Sequence, residues 1–241
     1  MPEEPSARVR AQEIQTMFGR IVGRYDLMNR VMSAGRDGRW RALAAEAAVG
    51  NRDDAIVLDL GAGTGDLARA VRAAGAVKVM AGDFSRPMLV AGRRKMASDT
   101  VTGLHWMQVD ALSLPFADDT FDAVTSGFLL RNLVDLPQGL AEMVRVIKPG
   151  GALVALDITH PPPGLAGAAL RFGFRRVVSP IAGALSGDRP AYRYLPNSLI
   201  GFPTAPEMRA LFERIGAEQV TVRRLGGGAV ALHVGRKPLG G

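Results

Sequence analysis

The residues best suited to chemistry are glycines and carboxylates that end short apolar runs. Val57-Leu-Asp-Leu-Gly-Ala-Gly-Thr-Gly-Asp66 closes such a run with Asp59, Gly61 and Gly63. Glycines there let the chain turn sharply and bring backbone close to a ligand. The spacing is Gly-x-Gly-x-Gly rather than the Gly-x-Gly-x-x-Gly of dinucleotide loops, and by itself such a loop does not choose a ligand. Asp83 ends a second run, about 20 residues further on, where an acidic residue bonds ribose hydroxyls. Its carboxylate can accept from both hydroxyls; the plainer reading is a strand-end Asp that caps the next helix. Asp110-Ala111 follows a third run, where a carboxylate can accept from an adenine amino group. Together they describe a nucleoside-bearing ligand along one edge of a sheet.

The elements that must position these residues alternate. Ile56–Leu60 reads as a buried parallel strand, because its apolar run is continuous rather than alternating. Asp66–Ala74 is a helix stopped by Gly75, and Val77–Asp83 a second strand. Arg86–Met96 is a helix opened by Ser85 and Pro87, Leu104–Asp110 a third strand, Phe121–Phe128 a fourth. Leu136–Ile147 is a helix ended by Lys148-Pro-Gly-Gly, and Ala152–Asp157 a fifth strand. Strands and helices in this rhythm predict a doubly wound α/β fold with a mostly parallel, seven-stranded sheet. The last helix, Glu207–Ile215, precedes Gln219–Leu225 and Ala229–Arg236, an antiparallel pair reversed at Gly226-Gly-Gly. Before the first strand, residues 1–50 read as helical, with Ile14, Met17, Phe18, Ile21 and Val22 on one face. Residues 160–203 are rich in proline, break the rhythm and read as an inserted helical lid. The expected organisation is one domain over 1–241: a helical cap to residue 50, a core over 54–158, the lid, and a closing segment over 204–237.

Two further runs, Leu114-Pro-Phe-Ala-Asp-Asp-Thr-Phe-Asp122 and Arg145-Val-Ile-Lys-Pro-Gly-Gly151, resemble the segments that follow the glycine loop in class I S-adenosylmethionine (SAM)-dependent methyltransferases. Tyr25-Asp-Leu-Met-Asn29, continuing through Met32-Ser-Ala-Gly35 to Trp40, resembles the N-terminal signature of the ubiquinone/menaquinone biosynthesis methyltransferases, the UbiE/MenG/COQ5 family. Phe128-Leu-Leu-Arg-Asn132, Tyr192-Arg-Tyr-Leu195 with Pro196-Asn-Ser198, and Ala229-Val-Ala-Leu-His233 extend the likeness from about Met17 to Lys237. The sequence departs from the family in three places: Asp37 stands where the signature usually has His, Asp157-Ile158-Thr159 where it has Glu-x-Ser, and the lead-in to the lid is unusually rich in proline.

The resemblance implies SAM as cofactor, held by Asp59, Gly61, Gly63, Thr64, Asp83, Phe84, Asp110, Ala111, Ser126 and Gly127. It implies methyl transfer to a ring carbon of a polyprenyl quinol, demethylmenaquinol to menaquinol being the favoured case. Such a carbon is nucleophilic enough only once a phenolic proton with a pKa near ~10 leaves. Asp37 is the first candidate to take that proton or to orient a water that does; its alternative is a surface carboxylate paired with Arg36 or Arg39. Tyr25, Arg131 and Asn132 join it as catalytic candidates, while Tyr192, Tyr194 and Asn29 are candidates for binding substrate. His105 and His233 lie in strands and read as structural, and His160 as a loop residue. Two alternatives stay open: a methyltransferase acting on another phenolic or small-molecule metabolite, and a SAM-binding regulatory or assembly protein without turnover.

The chain has no cysteine and 3 well-separated histidines, so no metal site is expected. Its 30 Lys and Arg against 23 Asp and Glu give +7, a basic balance that suits an acidic partner or a lipid headgroup. No nucleic-acid module accompanies that charge, so nucleic acid is not an expected partner. The acidic N-terminus is unlike a signal peptide, and no apolar run is long enough to span a bilayer. The expectation is a cytoplasmic protein in peripheral contact with the inner face of the membrane, with a homodimer among its candidate assemblies. Leu165–Leu185 carries Leu170, Phe174, Val177 and Val178 beside Arg171, Arg175 and Arg176, either a greasy basic face for lipid or a cover for the sheet.

Overall fold

The computed structural model describes residues 7–97, 102–161, 164, 167 and 199–240. Two helices come first, α1 (Ala7–Met32) and α2 (Asp37–Val49). Then follow β1 (Ile56–Leu60), α3 (Asp66–Ala73), β2 (Lys78–Asp83), α4 (Arg86–Lys95) and β3 (Leu104–Gln108). The second half holds β4 (Phe121–Gly127), a 3₁₀ turn over Leu130–Asn132, α5 (Leu136–Val146) and β5 (Ile147–Ile158). It closes with α6 (Ala205–Arg214), β6 (Glu218–Leu225) and β7 (Val230–Arg236).

Among the described residues the strands form one sheet in the order β3-β2-β1-β4-β5-β7-β6. The first five run parallel, and β7 pairs antiparallel with both β5 and β6. The order reverses between β1 and β4, which opens a crevice beyond their carboxyl ends, where open α/β sheets bind ligands.

Strand residues alternate between two cores. Val57, Val79, Ala123 and Val154 face α2 and α3 through Trp40, Ala44, Ala48, Leu67 and Val71. Leu58, Leu60, Val124 and Leu153 face the other way, onto Leu140, Met143, Met208 and Phe212 of α5 and α6. Small alanines on the α2 side let that helix approach the sheet closely. The predicted start of the fifth strand moves five residues earlier. Ile147 already pairs with Phe121, and a register irregularity before Ala123 absorbs the Pro-Gly-Gly segment that the sequence reads as a helix stop. Helix α6 starts two residues earlier than the periodicity suggests. Thr204 caps it, with the Glu207 carboxylate accepting from the Thr204 N–H at 2.8 Å.

Most of the expected lid, including Leu165, Leu170, Arg171, Phe174, Arg175, Arg176, Val177, Val178, Leu185, Tyr192 and Tyr194, lies outside the described residues. Among the described residues no helix is long and apolar enough to cross a membrane.

Candidate active site

At the crevice, β1 hands the chain to a loop in which Gly61 and Gly63 have φ of +70° and +56°. A Cβ on Gly61 would stand 2.8 Å from Leu129 Cβ, so only glycine fits where this loop meets the segment after β4. The Gly63 N–H donates to Asp83 Oδ2 at 2.7 Å, and the Ser85 N–H to Oδ1 at 2.7 Å. Burial pushes the Asp83 carboxyl above its ordinary pKa, against the pull of those two backbone donors. Both oxygens are therefore fixed in direction while each keeps a lone pair to offer.

Asp83 lines one cavity together with Gly61, Gly63, Phe84, Asp110, Ala111, Gly127, Tyr25 and Asn132. Nine residues expected to contact cofactor or substrate thus converge from α1, β1, β2, β3 and β4. Asp110 Oδ1 accepts the Leu112 N–H at 2.9 Å, which turns the chain past the end of β3. The Ser85 hydroxyl, buried in the same wall, has no partner among the described residues. An unmet buried hydroxyl beside a fixed carboxylate and two bare-backbone glycines fits a ligand bearing ribose and amino-acid groups, as SAM does. The lining also includes the apolar side chains Ile14, Phe18, Met88, Leu129 and Leu133.

Helix α1 closes the cavity because three side chains tie it down. Thr64 Oγ1 donates to Asp26 Oδ1 at 2.6 Å, and Lys95 Nζ donates to Asp26 Oδ2 at 2.6 Å and Asp66 Oδ1 at 2.5 Å. Tyr25 sits edge-on to Phe18, with ring centroids 5.9 Å apart. Thr64 thus fastens the helix and does not line the cavity. Asp59 and Ser126 also stand behind the wall. Asp59 is 1% exposed, its Oδ1 accepts from Thr125 Oγ1 at 2.8 Å, and burial raises its pKa to about 7. Asn29 is half-buried on α1, outside the lining, with its Nδ2 unpaired among the described residues.

Two catalytic candidates are placed elsewhere. Asp37 begins α2 and faces a separate groove with Arg30, Arg41 and Arg69. Its carboxylate accepts from Ser33 Oγ at 2.9 Å and is ion-paired with Arg41, not with Arg36 or Arg39. Burial alone would raise its pKa, but the Ser33 hydrogen bond and the Arg41 charge hold it below the usual carboxylate range. A carboxylate so stabilised, outside the cavity, is a poor acceptor for a phenolic proton. Arg131 is buried in an ion pair, Nη1 to Asp157 Oδ1 at 2.5 Å, and also donates to the Phe128 carbonyl at 2.9 Å. It does not reach the lining either.

Sequence reasoning missed Ser85, Leu129 and Arg41. The last is 7% exposed, with its Cζ 5.6 Å from the Phe128 ring centroid. Its signal was the Asp37/Arg41 spacing of four on one helix face. The histidines stay out of the site: His105 is exposed on β3, His160 Nε2 lies 2.9 Å from the Phe202 carbonyl, and His233 Nε2 lies 3.0 Å from the Ala205 carbonyl. Burial lowers the His233 pKa.

Comparison with known proteins gives this arrangement its lineage. The model of the ubiE/COQ5 methyltransferase family matches residues 6–237. The chain belongs to that family. It is 43% identical over 224 residues to the demethylmenaquinone methyltransferase of Thermus thermophilus, covering 92% of this chain and 100% of that one. It is 40% identical to the ubiquinone/menaquinone biosynthesis C-methyltransferase UbiE of Desulfotalea psychrophila, covering 93% and 90%. Among solved structures, a SAM-dependent methyltransferase from Aquifex aeolicus superposes with a TM-score of 0.61 at 17% identity, covering 88% of this chain and 97% of that one. A phosphoethanolamine N-methyltransferase from Haemonchus contortus, in complex with SAM, gives 0.62 at 13%, covering 83% and 52%. At such identities these two show the fold alone. This family member is a SAM-dependent methyltransferase, and its sheet is the class I arrangement.

Proposed function

We propose that this methyltransferase acts in quinone biosynthesis, C-methylating the ring of a polyprenyl quinol, with demethylmenaquinol converted to menaquinol. Membership of the family carries the reading, and the shape of the cavity supports it. Its lining combines polar groups, Gly63, Asp83 and Asp110, with apolar ones, Ile14, Phe18 and Leu133, as a cofactor beside a prenylated ring requires. SAM supplies an electrophilic methyl on its sulfonium. Asp83 would accept from the ribose hydroxyls, Asp110 would meet the adenine edge, and the backbone of Gly61, Gly63 and Gly127 would face the amino-acid portion. Tyr25 and Asn132, both in the lining, are the groups we assign to the ring oxygens. The enzyme's main contribution is to hold the ring carbon against the methyl in near-attack geometry while Phe18 and Met88 keep water away. Methyl transfer from labelled SAM into a quinol extract, with mass spectrometry of the product ring, tests the assignment. Label on a non-isoprenoid phenol alone would favour the second substrate class.

We also propose peripheral contact with an anionic membrane surface, the source of a long-tailed substrate. Helix α4 exposes Arg86, Val90, Arg93 and Arg94 and contains no acidic residue, and its Met88 lines the cavity on the inner side.

A further inference from the structure

Behind the cavity wall, the charged groups form a chain that the chemistry above does not use. Asp37 pairs with Arg41, the Arg41 guanidinium lies over the Phe128 ring, the Arg131 guanidinium lies over it too at 5.7 Å, and Arg131 pairs with Asp157. The side chains of Asp37, Arg41, Arg131 and Asp157 are 13, 8, 7 and 7% exposed. Two cations brought to one ring repel each other, so each has its own carboxylate, and the chain is neutral as a whole. Arg131 keeps this place even though its Nε finds no partner among the described residues.

The ring at the centre of the chain belongs to a strained residue. Phe128 has φ of +62°, a region that a bulky side chain enters only when its surroundings hold it there. Its N–H donates to the Leu156 carbonyl at 2.7 Å, and its carbonyl accepts from Arg131 Nη1 and from Asn132 Nδ2 at 3.1 Å. The conformation is thus fixed from the main chain and, through the ring, from two elements far apart in sequence. What it fixes is functional: Phe128, Leu129 and Asn132 all line the cavity, and Leu129 packs on Gly61.

We propose that Arg41 and Arg131, each anchored by a carboxylate, are positioning residues that hold Phe128 in its strained conformation and so set the wall against which the substrate ring is placed. Arginine suits the task because a planar guanidinium can lie on a ring while its edge bonds a carboxylate; an ammonium cannot do both. Asp37 then has a use, since a carboxylate there holds Arg41 four residues on along the same helix face. This inference rests on the methyltransferase reading.

The test uses the full chain and two readouts. Arg41→Lys keeps the charge beside Asp37 and removes the planar contact. Hydrogen exchange without ligands should show the Phe128, Asn132 and Leu133 amides losing ~10-fold or more of their protection, while those of Val57–Leu60 stay unchanged. With a quinol extract, kcat should fall by ~10–100-fold, the cost of a displaced wall, with SAM affinity changed less than about threefold. Phe128→Gly accepts the positive φ and removes the ring, so that variant should fold and be slow. Adding Arg41→Lys to Phe128→Gly should then cost little more, because the coupling runs through the ring. Normal exchange and kcat in Arg41→Lys, or fully additive losses in the double variant, would overturn the proposal. A wild-type chain that methylates no quinol would fail the functional reading instead, and the exchange result would still decide the positioning role.

Discussion

Replacing Asp83 by Asn separates the two duties of that carboxylate. Its two oxygens receive the Gly63 and Ser85 N–H groups, both at 2.7 Å. An amide has one oxygen, so one buried backbone donor faces an NH₂ group and is left unmet, a cost of ~1–3 kcal/mol. Part of that returns, because burial raises the Asp83 pKa and a neutral amide escapes the desolvation penalty. The net loss of stability is expected to be ~1–2 kcal/mol, a drop of several degrees in Tm. Ligand binding should suffer more. Two charge-assisted hydrogen bonds to ribose are worth ~1.5–3 kcal/mol each, and Asn retains one weaker acceptor, leaving a loss of ~2–4 kcal/mol. That is ~30–1000-fold in the SAM dissociation constant. Titration calorimetry against wild type and Asp83→Asn, with thermal melts to confirm folding, measures both. A folded variant whose Kd for SAM stays within threefold of wild type would refute the assignment of Asp83 to the ribose.

Asp59 predicts a pH signature. Its folded pKa is about 7 and its unfolded value ~3.9, so folding favours the protonated form, and the stability it lends is lost as pH rises between those values. Asp59→Asn, which keeps an acceptor for Thr125, should match wild type near pH 4 and gain on it by ~1.4 kcal/mol per unit up to pH 7, then level off; parallel denaturation curves at pH 4, 5.5, 7 and 8 would show a flat difference if the reasoning is wrong. Asp37→Asn should lower kcat by less than ~10-fold, through Arg41, without altering the shape of the pH–rate profile; a ~10²–10⁴-fold loss with a displaced limb would restore Asp37 as the base. On phosphatidylglycerol vesicles, Arg86→Glu with Arg94→Glu should weaken co-sedimentation by about tenfold or more, at ~1 kcal/mol per basic residue near the surface. Equal binding by wild type and variant would remove α4 from the membrane contact.

The sheet was legible because its central strands are buried on both faces and so read as unbroken apolar runs ending in glycine or aspartate. The convergence of Gly61, Asp83 and Asp110 on one cavity followed from that, since they stand at or just past the ends of neighbouring strands and topology alone brings strand ends together. What was not legible lay in tertiary pairing. Arg131 and Asp157 are 26 residues apart and meet only because β4 and β5 are adjacent, so Arg131 looked available for substrate. Asp37 was matched with its sequence neighbours Arg36 and Arg39, whereas a helix brings residues four apart onto one face, and Arg41 was the partner. The stripe of Ile14 and Phe18 was visible as an apolar face, but that it walls a ligand cavity depends on Asp26 fastening α1 to Thr64 and Lys95.

The central claim is that a ring carbon of a prenylated quinol receives the methyl group. Incubating the protein with SAM carrying a labelled methyl and chemically reduced demethylmenaquinone, then fragmenting the product by mass spectrometry, addresses it most directly. The label is expected on a carbon of the quinone ring, retained after oxidation, with one S-adenosylhomocysteine released per methyl transferred. Label on a phenolic oxygen, or none in the quinone while SAM binds tightly, would contradict it.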